Sequence, residues 1–191
     1  MRPQPIRAIA IGASAGAVQA LLRILPGLPA GYPLPVLIVV HVPPDRSNSL
    51  VSLFRDKCAL HVKEAEDKEV IAGGTIYFAP ADYHQLVEGG GSIALSSDEP
   101  VNYSRPAIDV LLETAADAYG PALAGIVLTG ANHDGATGLR AVADAGGIAI
   151  VEDPTEAQVP TMPAAALAAC PSARPMALDD VLSFLLTLAA T

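Results

Sequence analysis

No tryptophan occurs in the 191 residues, and phenylalanine and tyrosine together make up only 4% of them. Large rings cannot fill the core, so the 51% hydrophobic content falls mainly on Ala, Val, Leu and Ile, the profile of an α/β protein. Charged residues are scarce at 16%, and with so much apolar content the chain is far from disorder. Lys and Arg number 11 against 20 acidic residues, giving a net charge of −9. With no basic cluster either, this balance argues against a nucleic-acid-binding surface. The two cysteines, Cys58 and Cys170, lack metal or redox spacing and read as buried thiols in a reducing compartment.

Long apolar runs are missing too. The C-terminal run from Val181 to Ala190 is too short to span a bilayer. The apolar stretch after Arg2 and Arg7 is broken by Gly12, Ser14 and Gly16 and passes into an amphipathic helix, which a signal peptide would not do. A soluble, cytoplasmic protein is expected. Repeats, low-complexity tracts and linkers are also absent, so residues 1–191 are expected to form a single domain.

The strongest local signal lies between Ile6 and Leu25. An apolar strand (Ile6–Ile11) meets a glycine-rich turn, Gly12-Ala13-Ser14-Ala15-Gly16, and a helix with Val18, Leu21, Leu22 and Leu25 on one face. The turn fits G-x-S-x-G, which exposes a serine hydroxyl at a helix N-terminus. Free N–H groups and the positive dipole end there suit a phosphate or a tetrahedral oxyanion. The phosphate reading fails on its partners. Glycine spacing is wrong for a dinucleotide site, the next strand ends in His41 rather than an acid, and no Gly-Lys-Ser/Thr occurs.

Further along, strands are expected at Val36–Val40, Leu60–Val62, Thr75–Ala79, Ala122–Thr129 and Ile148–Val151. Helices alternate with them. One starts at Pro44 and Asp45 and carries Leu50, Leu53, Phe54 and Cys58; a second opens at Pro106; a third runs from Thr137 to Ala145 and stops at Gly146-Gly147. Two more cover Met162–Cys170 and Asp179–Ala190. His84–Val87 and Ser92–Leu95, joined through Gly89–Gly91, read as an antiparallel hairpin. The pattern predicts an α/β fold, three-layered and doubly wound on a mainly parallel sheet, with a small hairpin added.

Ligands of such a sheet bind beyond the carboxyl ends of its strands. Three loops there carry reactive side chains: Ser14 after the first strand, His41 after the second, Asp134 after the strand ending at Thr129. Together they form an inventory of hydroxyl, imidazole and carboxylate for nucleophilic acyl transfer, in a chain order unlike the familiar hydrolase orders. Each also has a plain structural reading. Ser14 could be a turn former, His41 a satisfied strand-end residue and Asp134 the cap of the helix that follows. His61 and His84 read as strand-surface residues. His133 lies near the site, but no HExxH or Cys/His spacing supports a metal, and none is expected.

The blocks AIGASAGAVQALLRIL, VVHVPPDRSNSLVSLF, VKEAEDKEVIAGGTIYFAPADYH, VNYSRPAIDVLL and GIVLTGANHDGATGL, in this order, resemble the catalytic domain of the CheB-type protein-glutamate methylesterases of bacterial chemotaxis. The resemblance covers nearly the whole chain. Carried over by motif, it implies a nucleophile at Ser14, its histidine at His41 and its aspartate at Asp134. It implies hydrolysis of γ-glutamyl methyl esters on chemoreceptor helices, with methanol release, some glutamine deamidation and no cofactor. The oxyanion donors it suggests are the N–H groups of Ala15 and Ala131, and Arg105 would orient an acidic receptor segment. This chain has Ser14-Ala15-Gly16-Ala17 where the family usually has Ser-Thr-Gly-Gly, and Ala131-Asn132-His133 where it has Met-Gly-Asn. With the first strand at Ile6, no receiver domain is expected ahead of it. The competing reading is a CheB-like module that keeps the fold, has lost catalysis and binds a signalling partner.

Overall fold

A computed structural model describes residues 4–41 and 47–189. Seven strands form one parallel sheet: β1 (Ala8–Ala13), β2 (Val36–Val40), β3 (His61–Glu64), β4 (Thr75–Phe78), β7 (Leu123–Val127), β8 (Ile148–Glu152) and β9 (Arg174–Met176). Their spatial order is β3-β4-β2-β1-β7-β8-β9. β5 (His84–Val87) and β6 (Ile93–Ser96) pair antiparallel in a separate ribbon, with His84 opposite Ser96 and Val87 opposite Ile93. The helices are α1 (Ala17–Ile24), α2 (Ser47–Lys57), α3 (Ile108–Tyr119), α4 (Ala136–Asp144), α5 (Thr161–Ala169) and α6 (Leu178–Leu188). The doubly wound, three-layer expectation therefore holds.

β1 lies at the centre because it is apolar on both faces, every residue from Ala8 to Ala13 being buried. Its larger residues, Ile9 and Ile11, face a core shared with Leu21 and Ile24 of α1, Phe54 of α2, and Val181 and Leu185 of α6. Ala8 and Ala10 face the opposite core, with Ile108, Leu111 and Leu112 of α3, Leu139 and Val142 of α4, and Met162 of α5. β2 flanks β1 on one side, with Ala13 in register with Val40; β7 flanks it on the other, with Gly12 in register with Val127. The winding reverses across β1, so its carboxyl end is the topological switch point of the sheet.

Several boundaries differ from expectation. β1 begins and ends two residues later, because Gly12 and Ala13 continue the pairing with Val39 and Val40 without adding an apolar signal. β9 has no counterpart in the periodicity. It is a three-residue edge strand containing Pro175, a residue tolerated only at an edge. The helix start at Pro44 and Asp45 lies outside the described residues, and α2 is described from Ser47.

α3 and α4 pack closely over β7 and are the helices that shape the site. Gly138 makes this possible, since a Cβ there would fall 2.7 Å from Cβ of Leu112 and 3.0 Å from Cα of Asp109. Gly138→Ala should therefore push the two helices apart and lower stability by about 1–3 kcal/mol, the usual range for overpacking. Chemical denaturation monitored by circular dichroism checks this, since helix propensity alone would favour alanine.

Candidate active site

The carboxyl ends of β1 and β2 bring two of the three reactive residues to one edge. His41 donates its backbone N–H to the carbonyl of Ala13 at 3.2 Å. Ser14 and His41 thus emerge one residue beyond the paired positions Ala13 and Val40 of adjacent strands. Ser14 is partly exposed at the turn into α1. That turn needs a left-handed residue just before the helix, and Gly16 supplies it with φ 85°.

Thr129, after β7, holds this turn. Its carbonyl accepts the N–H of Ser14 at 2.9 Å and its hydroxyl donates to the carbonyl of Ala15 at 2.8 Å. Its own N–H donates to Oε2 of buried Glu152 at 2.7 Å. Burial raises the Glu152 pKa, the Thr129 N–H opposes that rise and the charge of Glu156 adds to it. Thr129 and Glu152 escape sequence reading because they are simply the ends of apolar strands. Among the described residues no acceptor takes the N–H of Ala15 or of Ala131, and both residues are exposed. Two backbone donors at this edge therefore remain free for an anion.

His41 Nε2 lies 2.8 Å from Oδ2 of Asp134, whose side chain is 0% exposed against 13% for the imidazole. Since the carboxylate can only accept, Nε2 carries the proton and Nδ1 is left as the acceptor of the ring. Asp134 takes three further donors: the N–H of Ile108 at 2.6 Å, the N–H of Asp109 at 3.0 Å and Nδ2 of Asn102 at 2.8 Å. Burial pushes its pKa up, but the hydrogen bonds from His41, Ile108, Asn102 and Asp109 outweigh burial and hold it below its ordinary value. An ionised carboxylate fixes the tautomer of the imidazole and would stabilise an imidazolium.

The plain reading of Asp134, as cap of the helix that follows it, is corrected in an instructive way. Asp134 caps α3, whose first two N–H groups it accepts, while α4 is capped by Asp109 from inside α3. Oδ1 of Asp109 accepts the N–H of Gly135 at 3.0 Å and of Gly138 at 2.7 Å; Oδ2 accepts Nδ2 of Asn102 at 2.8 Å. Neither helix has a cap of its own, their N-cap residues being Ala107 and Gly135. Burial, opposed by the Gly138 N–H and reinforced by the charge of Asp134, raises the Asp109 pKa. Asn102 and Asp109 were not singled out by sequence. Two helices opening on Ala107 and Gly135, residues with no capping side chain, are the one signal that points to caps from elsewhere.

The remaining predicted residues divide. His61 is exposed on its strand. His84 is not a surface residue: it is 2% exposed, its Nδ1 accepting the N–H of Ala107 and its Nε2 donating to the carbonyl of Glu99. Strand alternation could not show this, because the α3 entry and the 97–105 loop cover the ribbon. Arg105 donates to Asp82 and to the carbonyls of Ser97 and Asp98, which braces that loop. His133 is exposed beside Asp134.

Comparison with known proteins supplies independent footing. The family model described as CheB methylesterase matches residues 9–185. A protein of Symbiobacterium thermophilum named protein-glutamate methylesterase/protein-glutamine glutaminase is 40% identical over 159 residues, which is 83% of this chain and 44% of that protein. The chain thus spans less than half the length of that relative. A protein of Leptospira interrogans, given the same two activities provisionally, is 44% identical over 162 residues, 85% of this chain and 84% of the relative. The crystal structure of the Thermotoga maritima CheB methylesterase catalytic domain superposes with a TM-score of 0.89 at 31% identity, covering 97% of this chain and 100% of that one.

The electrostatics of Asp134 yield a pH test. A carboxyl whose folded pKa is depressed contributes stability above its unfolded value, and that contribution is lost as acid drives the pH through the folded pKa. Asp134→Asn puts an amide among donors and should cost about 1–3 kcal/mol at neutral pH. The gap between the two proteins should begin to narrow only as the pH falls through the ordinary aspartate value of about 3.9, and should close once the pH lies below the depressed value of the folded carboxyl. Urea melts at a series of pH values measure both.

Proposed function

This chain belongs to the CheB methylesterase family, and on that premise we propose that it is a serine hydrolase acting on glutamyl methyl esters. Its substrates are the methylated cytoplasmic helices of chemoreceptors; it releases methanol and leaves glutamate, with deamidation of glutamine as the parallel reaction. Residues 1–191 act as one catalytic domain in this reading. The observation that carries it is the 2.8 Å bond from His41 to a fully buried, donor-saturated Asp134, at the strand edge where Ser14 emerges.

The chemistry follows from which atoms are free. Nε2 of His41 is committed to Asp134, so Nδ1 takes the proton of the Ser14 hydroxyl as its oxygen attacks the ester carbonyl. The tetrahedral oxyanion settles among backbone donors. The unpaired N–H groups of Ala15 and Ala131 suit that role, each donor of this kind contributing on the order of 10²–10³ in rate. The imidazolium, stabilised by Asp134, then gives its proton to the departing methoxide. Water, deprotonated by the same nitrogen, attacks the acyl-enzyme and restores Ser14. With an amide in place of the ester, ammonia leaves by the same path.

Labelling with a fluorophosphonate probe tests the assignment directly. Wild type should label and should release methanol from methylated receptor. Ser14→Ala should lose both while keeping its circular dichroism spectrum, and His41→Ala should lose about 10⁴-fold or more. A wild-type protein that never labels yet still binds receptor would favour the interaction-module reading.

A further inference from the structure

Residues 97–105 form a loop over the amino end of α3, tied down by side chains along its length. His84 holds the carbonyl of Glu99, Arg105 holds those of Ser97 and Asp98, and Asn102 reaches down to both buried carboxylates. At its tip Val101 and Ser104 exchange both backbone hydrogen bonds, at 3.1 and 2.9 Å, around Asn102 and Tyr103. These two residues have φ of 50° and 61°. Two central residues of positive φ are the pattern of a type I′ turn, whose favoured pair is Asn-Gly. Asn102 fits that preference and is further repaid by its bonds to Asp109 and Asp134.

Tyr103 fits nothing in the fold. Its backbone takes a conformation that glycine would adopt without strain, and the residue is 101% exposed, with no side-chain hydrogen bond or ring contact among the described residues. Val101, beside it, is also an exposed apolar residue. Folding alone would be better served by glycine at 103. An aromatic ring held in water on a braced turn, one residue from a side chain that bonds Asp134, has the character of a preorganised contact for a partner.

We propose that the Asn102-Tyr103 turn is the element that engages the protein substrate, with its two residues doing different work. Tyr103 is a specificity-determining contact: its ring packs on the apolar flank of the helix that carries the methyl ester. Asn102 is a positioning residue that acts through Asp134. This rests on the reading of the protein as a receptor methylesterase, and it predicts that adjacent substitutions will have opposite kinetic signatures.

Tyr103→Gly should fold at least as stably as wild type and should react with the fluorophosphonate probe at the wild-type rate. On a methylated receptor fragment its KM should rise about fivefold or more with kcat unchanged. Tyr103→Phe should behave as wild type. Asn102→Ala should instead lower kcat on the receptor and the probe rate together, by about tenfold or more, with little change in KM. Binding of the same fragment to Ser14→Ala, with and without Tyr103→Gly, reads the contact without any turnover. There a matching loss of affinity supports the proposal even if hydrolysis is absent. A Tyr103→Gly protein with unchanged KM and unchanged fragment affinity overturns it, as does one whose probe rate falls along with its receptor activity. Asn102→Ala with full kcat overturns the positioning half.

Discussion

Asp109 and Asp134 lie where the amino ends of α3 and α4 meet, and each serves as the cap of the helix to which the other is attached. Two carboxylates buried side by side would cost several kcal/mol each if left alone. Here four donors converge on Asp134 and three on Asp109, four of the seven being helix-terminal or near-terminal N–H groups whose dipoles favour negative charge. Neither helix can shift without stripping donors from a buried charge. The pair therefore fixes the angle between α3 and α4 and the orientation of the His41 ring at once.

The neighbouring side of the site obeys a similar logic on a smaller scale. Thr129 ties two elements together through its N–H, carbonyl and hydroxyl: Glu152 at the end of β8, and Ser14 with Ala15 in the turn between β1 and α1. Parallel strands deliver these residues to one edge, and the side chains then clamp the turn that presents the serine. Conformational freedom is removed before any substrate arrives, as a site built on strand ends and helix starts allows. Among the described residues, the ring of Tyr103 is the large apolar group most fully exposed to water.

Much of this was legible in the sequence, and what was not shares a cause. Val36–Val40 announced itself as a buried strand, and the run of reactive residues after apolar strands pointed to Ser14, His41 and Asp134. Strand alternation misread His84, because a two-residue period reports which face a side chain takes, not what later covers that face. Arg105, which the family resemblance offered for an acidic receptor segment, also donates to the carboxylate of Asp82 and to two carbonyls of its own loop, bonds that no local pattern announces. Asp109 sat unnoticed inside an amphipathic helix, where an acid in the first turn looks like ordinary dipole complementation.

Local periodicity, turn chemistry and strand-end position are properties of neighbouring residues, so the sequence by itself determined the α/β class, the strand and helix order, and the reactive residue types at the strand ends. Capping across helices is a property of residues 25 to 29 positions apart whose meeting depends on how closely α3 and α4 pack. That closeness comes from Gly138 and the small residues of β1, through steric contacts that exist only once the sheet has brought the helices together. Only the tertiary structure could decide that Asp134 belongs to α3, that Asp109 supports it, and that Asn102 joins the two, because hydrogen bonds follow distance in space and not distance along the chain.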